Sequence, residues 1–188
     1  TPDPASTSDG LTVVIDADSV DPEGSTISYS YEWLLGGAVQ SAHTTSQLPA
    51  SATAKGEQWS VRVTPNDGIS DGDVGTASIT IQNTAPTLSG LSITPAGTTF
   101  NDDVLTCAAT VTDPDESPAP SYEWSIAGNV VGSAAQLDLA AAGAMPDDVL
   151  TCTVSVVDSD GASASDSLTR SISNRAPTLS GTAISPAT

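Results

Sequence analysis

The residues able to do chemistry are of two kinds, a cysteine pair and a set of acids. Cys107 and Cys152 are the only thiols in the 188 residues. They suffice for one disulfide, or stand as two separate buried thiols. The acids fall in clusters: Asp16, Asp18, Asp21 and Glu23; Asp67, Asp71 and Asp73; Asp113, Asp115 and Glu116; Asp158 and Asp160. Calcium takes about six to eight oxygens from carboxylates and carbonyls. Loops converging at one end of a β-fold could supply them, and Ca2+ is the one cofactor these residues suggest. The same acids sit in Asp-Pro and Asp-Gly stretches, where turn formation alone explains most of them. Their spacing does not match an EF-hand loop. Both readings stand.

Other chemistry is poorly provided for. His43 is the sole histidine, set in a Ser/Thr-rich stretch. A nucleophile-histidine-acid arrangement needs an orienting partner for it, so a solvated loop is expected. One histidine and two cysteines do not make a zinc site, and no glycine-rich phosphate motif occurs. The expectation is a chain with no enzymatic activity. The formal charge is −19, with Lys55, Arg62, Arg170 and Arg175 the only cations. Nucleic-acid binding rests on cations that displace counterions, so nucleic acid is not an expected partner. No apolar run approaches the roughly 20 residues of a membrane span, and direct membrane insertion is not expected.

The elements that must position these groups come in two copies. Tyr31-Glu32-Trp33 recurs as Tyr122-Glu123-Trp124, 91 residues on. Ala85-Pro86-Thr87-Leu88-Ser89-Gly90 recurs at the same offset of 91 as Ala176-Pro177-Thr178-Leu179-Ser180-Gly181. A fixed period marks repeated structural units. Alternating apolar and polar residues predict strands at 11–15 and 104–111, 27–34 and 121–126, 59–63 and 150–156, and 77–81 and 165–172. Asp, Asn, Gly and Pro clusters separate them as turns. The Ala140–Ala144 run is limited to a turn or two by Gly143 and Pro146. The fold class expected is all-β, two tandem β-sandwiches.

Cys107, Trp124 and Cys152 fall on alternate predicted strands, Trp124 lying 17 residues after one cysteine and 28 before the other. That order is the immunoglobulin pattern, in which a disulfide joins the sheets and the indole packs on it. A disulfide implies an oxidising, extracytoplasmic compartment. In the first copy Val13 and Val61 take the cysteine positions, so Trp33 is expected to pack over two valines. The stretch from Trp59 to Gly68, then Asp71-Gly72 and the run from Ile81 to Pro86, resembles the Ig-like or PKD-like repeats of large bacterial surface proteins. The resemblance covers essentially the whole chain. It implies a β-sandwich, export to the cell surface and a spacer role.

The organisation expected is a first repeat over 1–84, lacking its front strand and any disulfide; a second over 85–175, with the Cys107–Cys152 disulfide; and the first strand of a following repeat over 176–188. Pro86 and Pro177 restrict the linkers. The function expected is a structural unit of an extracellular filament or surface stalk. Its partners are neighbouring copies of the same repeat, joined in one polypeptide or head to tail through the spare strand. The alternatives are a ligand- or glycan-binding adhesin module, with Tyr29 as an exposed aromatic, and an accessory domain of a larger secreted protein.

Overall fold

A computed structural model describes residues 4–185. The ends of the expected first and last segments, 1–3 and 186–188, lie outside the described residues. Contacts divide the chain into two compact units. One runs to Ala85 and includes the loop Asp113–Ser117; the other comprises Pro86–Thr112 and the chain from Pro118 onward. The fold is all-β. Among the described residues the only helical element is a 3-10 turn at Ala50–Ala52, which the sequence pattern did not reveal.

In the first unit the strands are β1 (Leu11–Thr12), β2 (Ser28–Leu35), β3 (Ala38–Val39), β4 (Gln47–Leu48), β5 (Gln58–Asn66) and β6 (Gly75–Thr80). They form a four-stranded sheet in the order β3-β2-β5-β6 and a pair β1-β4. The long strands arise where apolar residues alternate with Ser and Thr, which puts one face inward. Along β2, Tyr29, Tyr31 and Trp33 share that face, burial deepening toward Trp33. Ala5, Leu11, Trp33, Leu48, Trp59, Val61 and Ile81 make the core.

The second unit adds β7 (Thr87–Thr94), β8 (Thr99–Phe100), β9 (Val104–Thr112), β10 (Ser121–Ile126), β11 (Asn129–Gly132), β12 (Gln136–Asp138), β13 (Val149–Val157) and β14 (Ser163–Ser173). Its sheets have the orders β11-β10-β13-β14-β8 and β12-β9-β7. Strand β13 has the clearest alternation, with Leu150, Cys152, Val154 and Val156 buried. The opening segment is split between the sheets: β7 pairs antiparallel with β9, and β8 pairs parallel with β14.

Among the described residues the first unit shows the second half of that split segment. Ser6 bridges Gln82 in parallel, and the Gln82 N–H donates to Ala5 O at 2.8 Å. Among the described residues β1 has β4 on one side and no strand on the other. The sequence pattern predicts a strand over 11–15; the strand is Leu11–Thr12, with the Val13 N–H still donating to Ser46 O at 2.8 Å. In the second unit the corresponding strand is nine residues long, held on one side by β12 and on the other by β7. Residues 174–185 form no strand.

Candidate functional site

Cys107 and Cys152 are joined, their Cα atoms 6.5 Å apart. Cys107 comes from β9 and Cys152 from β13, so the bond ties one sheet to the other. Trp124 is the register partner of Cys152 across β10 and β13. Its indole N–H donates to Ala134 O at 2.9 Å, which satisfies the ring's polar atom and leaves its body for the core. The first unit repeats the arrangement without sulfur. Trp33 is the register partner of Val61, and its N–H donates to Thr45 O at 2.9 Å. Val61 is buried and Val13 partly so, both in the core cluster.

The acids serve chiefly as acceptors for turn N–H groups. Asp21 accepts from the N–H of Ser25 at 2.6 Å and of Glu23 at 3.3 Å. Bonding from the Ser25 side chain and N–H favours its charged form and holds its pKa down at about 2. Asp67 accepts from Ile69 N and Ser70 N, both at 2.7 Å, and these backbone donors lower its pKa. Asp71 accepts from the Asn66 side-chain amide at 2.7 Å. Asp115 accepts from Thr84 N at 2.7 Å and from the Thr7 hydroxyl. Asp158 is buried, and its Oδ1 accepts from Asp160 N at 3.0 Å and Ala162 N at 2.7 Å. Asp16, Asp18 and Glu23 are exposed. Asp113 differs from the rest. Its Oδ1 accepts from Asp115 N at 2.8 Å and Glu116 N at 3.3 Å, while its Oδ2 is buried with no hydrogen-bond partner.

One aromatic expectation is corrected and one refined. Tyr29 is not an exposed ring: it is half-buried on the inward face of β2, and its hydroxyl accepts the Ser19 N–H at 2.8 Å. His43 lies in a loop as expected but is partly buried, its ring edge-on to Trp59 with centroids 6.4 Å apart. The four cations are engaged locally. Arg62 meets Glu32 at 2.8 Å, and Arg175 meets Asp102 at 2.6 Å while lying over Phe100. Lys55 donates to Asn83 Oδ1 at 3.4 Å, and Arg170 to carbonyls of the opening segment of its unit.

The first unit carries a groove alongside β1. It has a volume of about 250 Å³ and is lined by Leu11, Val13, Trp33, Trp59, Val61 and Ile79. A second recess of about 330 Å³ shares Val13, Val14, Asp16, Val61 and Ala77 with it and reaches Tyr29 and Val63.

In the second unit β7 fills the corresponding place. Ile93 is buried, and Leu88 and Leu91 pack on the core. Ile93 is the register partner of Cys107. Arg170 staples the segment to β14, donating to Ile93 O at 2.9 Å, Gly97 O at 3.1 Å, Pro95 O at 3.2 Å and the Thr99 hydroxyl at 3.3 Å. At an offset of 91 the first unit has Ile79 instead of that arginine.

The disulfide fits an extracellular location, and among the described residues no helix is long and apolar enough to cross a membrane. No protein-family profile and no curated protein matches the chain. Among the solved structures similar to it are two that follow. One holds three N-terminal domains of the Highly Immunogenic Outer Capsid protein (Hoc) of bacteriophage RB49, at 17% identity and TM-score 0.37, covering 90% of this chain and 55% of that one. The other is a Ca2+-stabilized adhesin that helps an Antarctic bacterium reach out and bind ice, at 15% identity and TM-score 0.30, covering 77% of this chain and 40% of that one. This chain thus spans about half or less of either structure, and at these TM-scores the likeness carries no argument about function.

Proposed function

We propose that the chain is a structural segment of an extracellular surface stalk or filament, in which repeated β-sandwiches act as spacers. The observation that carries this reading is the shared register of the two units. Trp33 opposite Val61 repeats Trp124 opposite Cys152, and residues 176–185 repeat the start of the second unit a further time. Units that repeat their core while varying their loops are built to be placed in series. The acidic surface keeps such an array soluble and discourages collapse. Immunogold labelling of intact source cells with antibody to this chain tests the reading. Label along surface fibres or stalks is expected, and label confined to the cell interior would overturn it.

A divalent cation beside Asp113 is a second reading, favoured by the buried Oδ2 that accepts no hydrogen bond. A carboxylate oxygen taken from water without a partner is costly, and calcium is a hard cation suited to it. Calcium at millimolar concentration should raise the melting temperature of the native chain relative to EDTA, and Asp113→Asn should abolish the difference. Identical melting in calcium and EDTA would remove this reading and leave the stalk proposal standing.

A further inference from the structure

Each unit has a turn that catches the chain just after its last long strand. In the second unit this is the turn at 100–103. Phe100 N donates to Asp103 Oδ2 at 2.7 Å, and Asp103 N donates to Phe100 O at 3.1 Å. Phe100 is the parallel register partner of Ser173 at the end of β14. Two residues further on, Arg175 donates to Asp102 Oδ2 at 2.6 Å and stands 4.0 Å from Asp103 Oδ1. Its guanidinium lies over the Phe100 ring, 4.1 Å from the centroid. We propose that Arg175 is a salt-responsive latch that sets the path of the chain beyond β14. The inference deepens the stalk reading, in which the stiffness of such an exit matters, and rests on it.

Three observations carry it. The first is recurrence. In the first unit the turn at 6–9 is closed in the same way, with Ser6 N donating to Asp9 Oδ2 at 2.8 Å and Asp9 N to Ser6 O at 3.0 Å. Ser6 bridges Gln82, which stands 91 residues before Ser173. Thr84 stands 91 residues before Arg175, and its hydroxyl accepts from Ser8 N at 3.2 Å. The second residue of Asn83-Thr84-Ala85-Pro86 and of Asn174-Arg175-Ala176-Pro177 thus docks on the third residue of its unit's turn. One contact is a neutral hydrogen bond and the other is ionic.

The second is a platform shaped for a guanidinium. Asp103 O accepts from Leu139 N at 3.0 Å, and Leu139 is fully buried, so the turn is anchored to the core. A ring face with carboxylates beside it suits a planar cation, which stacks on the ring and donates from its edge. Arg175 and Asp102 are each more than half exposed, which leaves the ionic part of the contact open to screening by salt.

The third is the sequence that follows. Pro177 fixes its own φ and restricts Ala176 to extended backbone. With the side chain of Arg175 held on the turn, little torsional freedom remains between Ser173 and Pro177. Release of Arg175 returns that freedom.

Backbone 15N relaxation of the full chain tests the latch. At low salt Ala176 should have an order parameter of about 0.85, falling below about 0.6 in Arg175→Gln. At 1 M NaCl, where the Debye length is about 3 Å, the unaltered chain should move more than halfway toward the variant. Arg175→Lys keeps the charge and loses the planar stack, so an intermediate value is expected. Ser173 should keep its native value in every sample, reporting that β14 and β8 remain folded; the salt titration of the unaltered chain needs no substitution at all. Ala176 rigid in every sample would mean that Pro177 alone sets the path, and would overturn the proposal. Ala176 mobile in the native chain at low salt would overturn it as well. Rigidity lost in Arg175→Gln but kept at 1 M NaCl would overturn the salt response. The immunogold result is independent of all these outcomes, so failure here is distinguishable from failure of the stalk reading.

Discussion

Trp124 lies directly opposite Cys152 across β10 and β13, and both are fully buried. The bond from Cys152 to Cys107 closes a loop of 45 residues. Cross-linking a loop of that length restricts the unfolded chain by about 4 kcal/mol. Reduction should therefore destabilise the second unit by up to that amount while leaving the cysteine-free first unit unchanged. Calorimetry with and without reductant checks this. A reductant-induced shift of both units' transitions, or of neither, would contradict it.

The first unit depends on Trp33 in place of a disulfide. Trp33→Ala removes a large core side chain and leaves the Thr45 carbonyl without its donor. Truncations of this kind cost about 3–5 kcal/mol, enough to unfold a marginal sandwich. Trp33→Phe keeps most of the volume and should cost clearly less. Urea denaturation of both variants measures the difference; equal costs would mean that the cavity is not the determining factor.

Arg170 holds the opening strand of the second unit through four acceptors. Arg170→Met retains the aliphatic stem and loses the guanidinium. Hydrogen bonds to a charged donor contribute about 1.5–3 kcal/mol, and loss of this fork should cost a similar amount. Amide exchange should speed up first in β7 and β8. Unchanged protection there would show that apolar packing alone secures the strand.

Asp21 should titrate well below an ordinary aspartate. Its pKa is held at about 2 instead of 3.8 by the side chain and N–H of Ser25. A carboxyl depressed on folding contributes stability that is present above its unfolded pKa and is lost as pH falls through the folded value. The turn around Asp21 should thus stay ordered at pH 4 and loosen as pH falls from about 4 to 2. Carboxyl NMR titration locates the midpoint, and Ser25→Ala should raise it. A midpoint unaffected by Ser25→Ala would show that the hydroxyl is not the cause.

The residues themselves determined the strands, the period and the pairing partners. Alternation of apolar with Ser and Thr located the long strands within a few residues, because side chains on a strand point alternately to opposite faces. The offset of 91 matched Trp33 to Trp124 and Val61 to Cys152, and a core conserves its geometry when one small apolar pair replaces another. Only the tertiary structure decided what depends on neighbours distant in sequence. The strand predicted at 11–15 is Leu11–Thr12, its length set by the register with β4. The split of the opening segment into β7 and β8, Tyr29 turning inward and His43 reaching Trp59 likewise depend on long-range packing. The acids show the same division. Their clustering was legible in the sequence, but which oxygens accept turn N–H groups and which is left over, Asp113 Oδ2, is fixed by backbone geometry that composition does not encode.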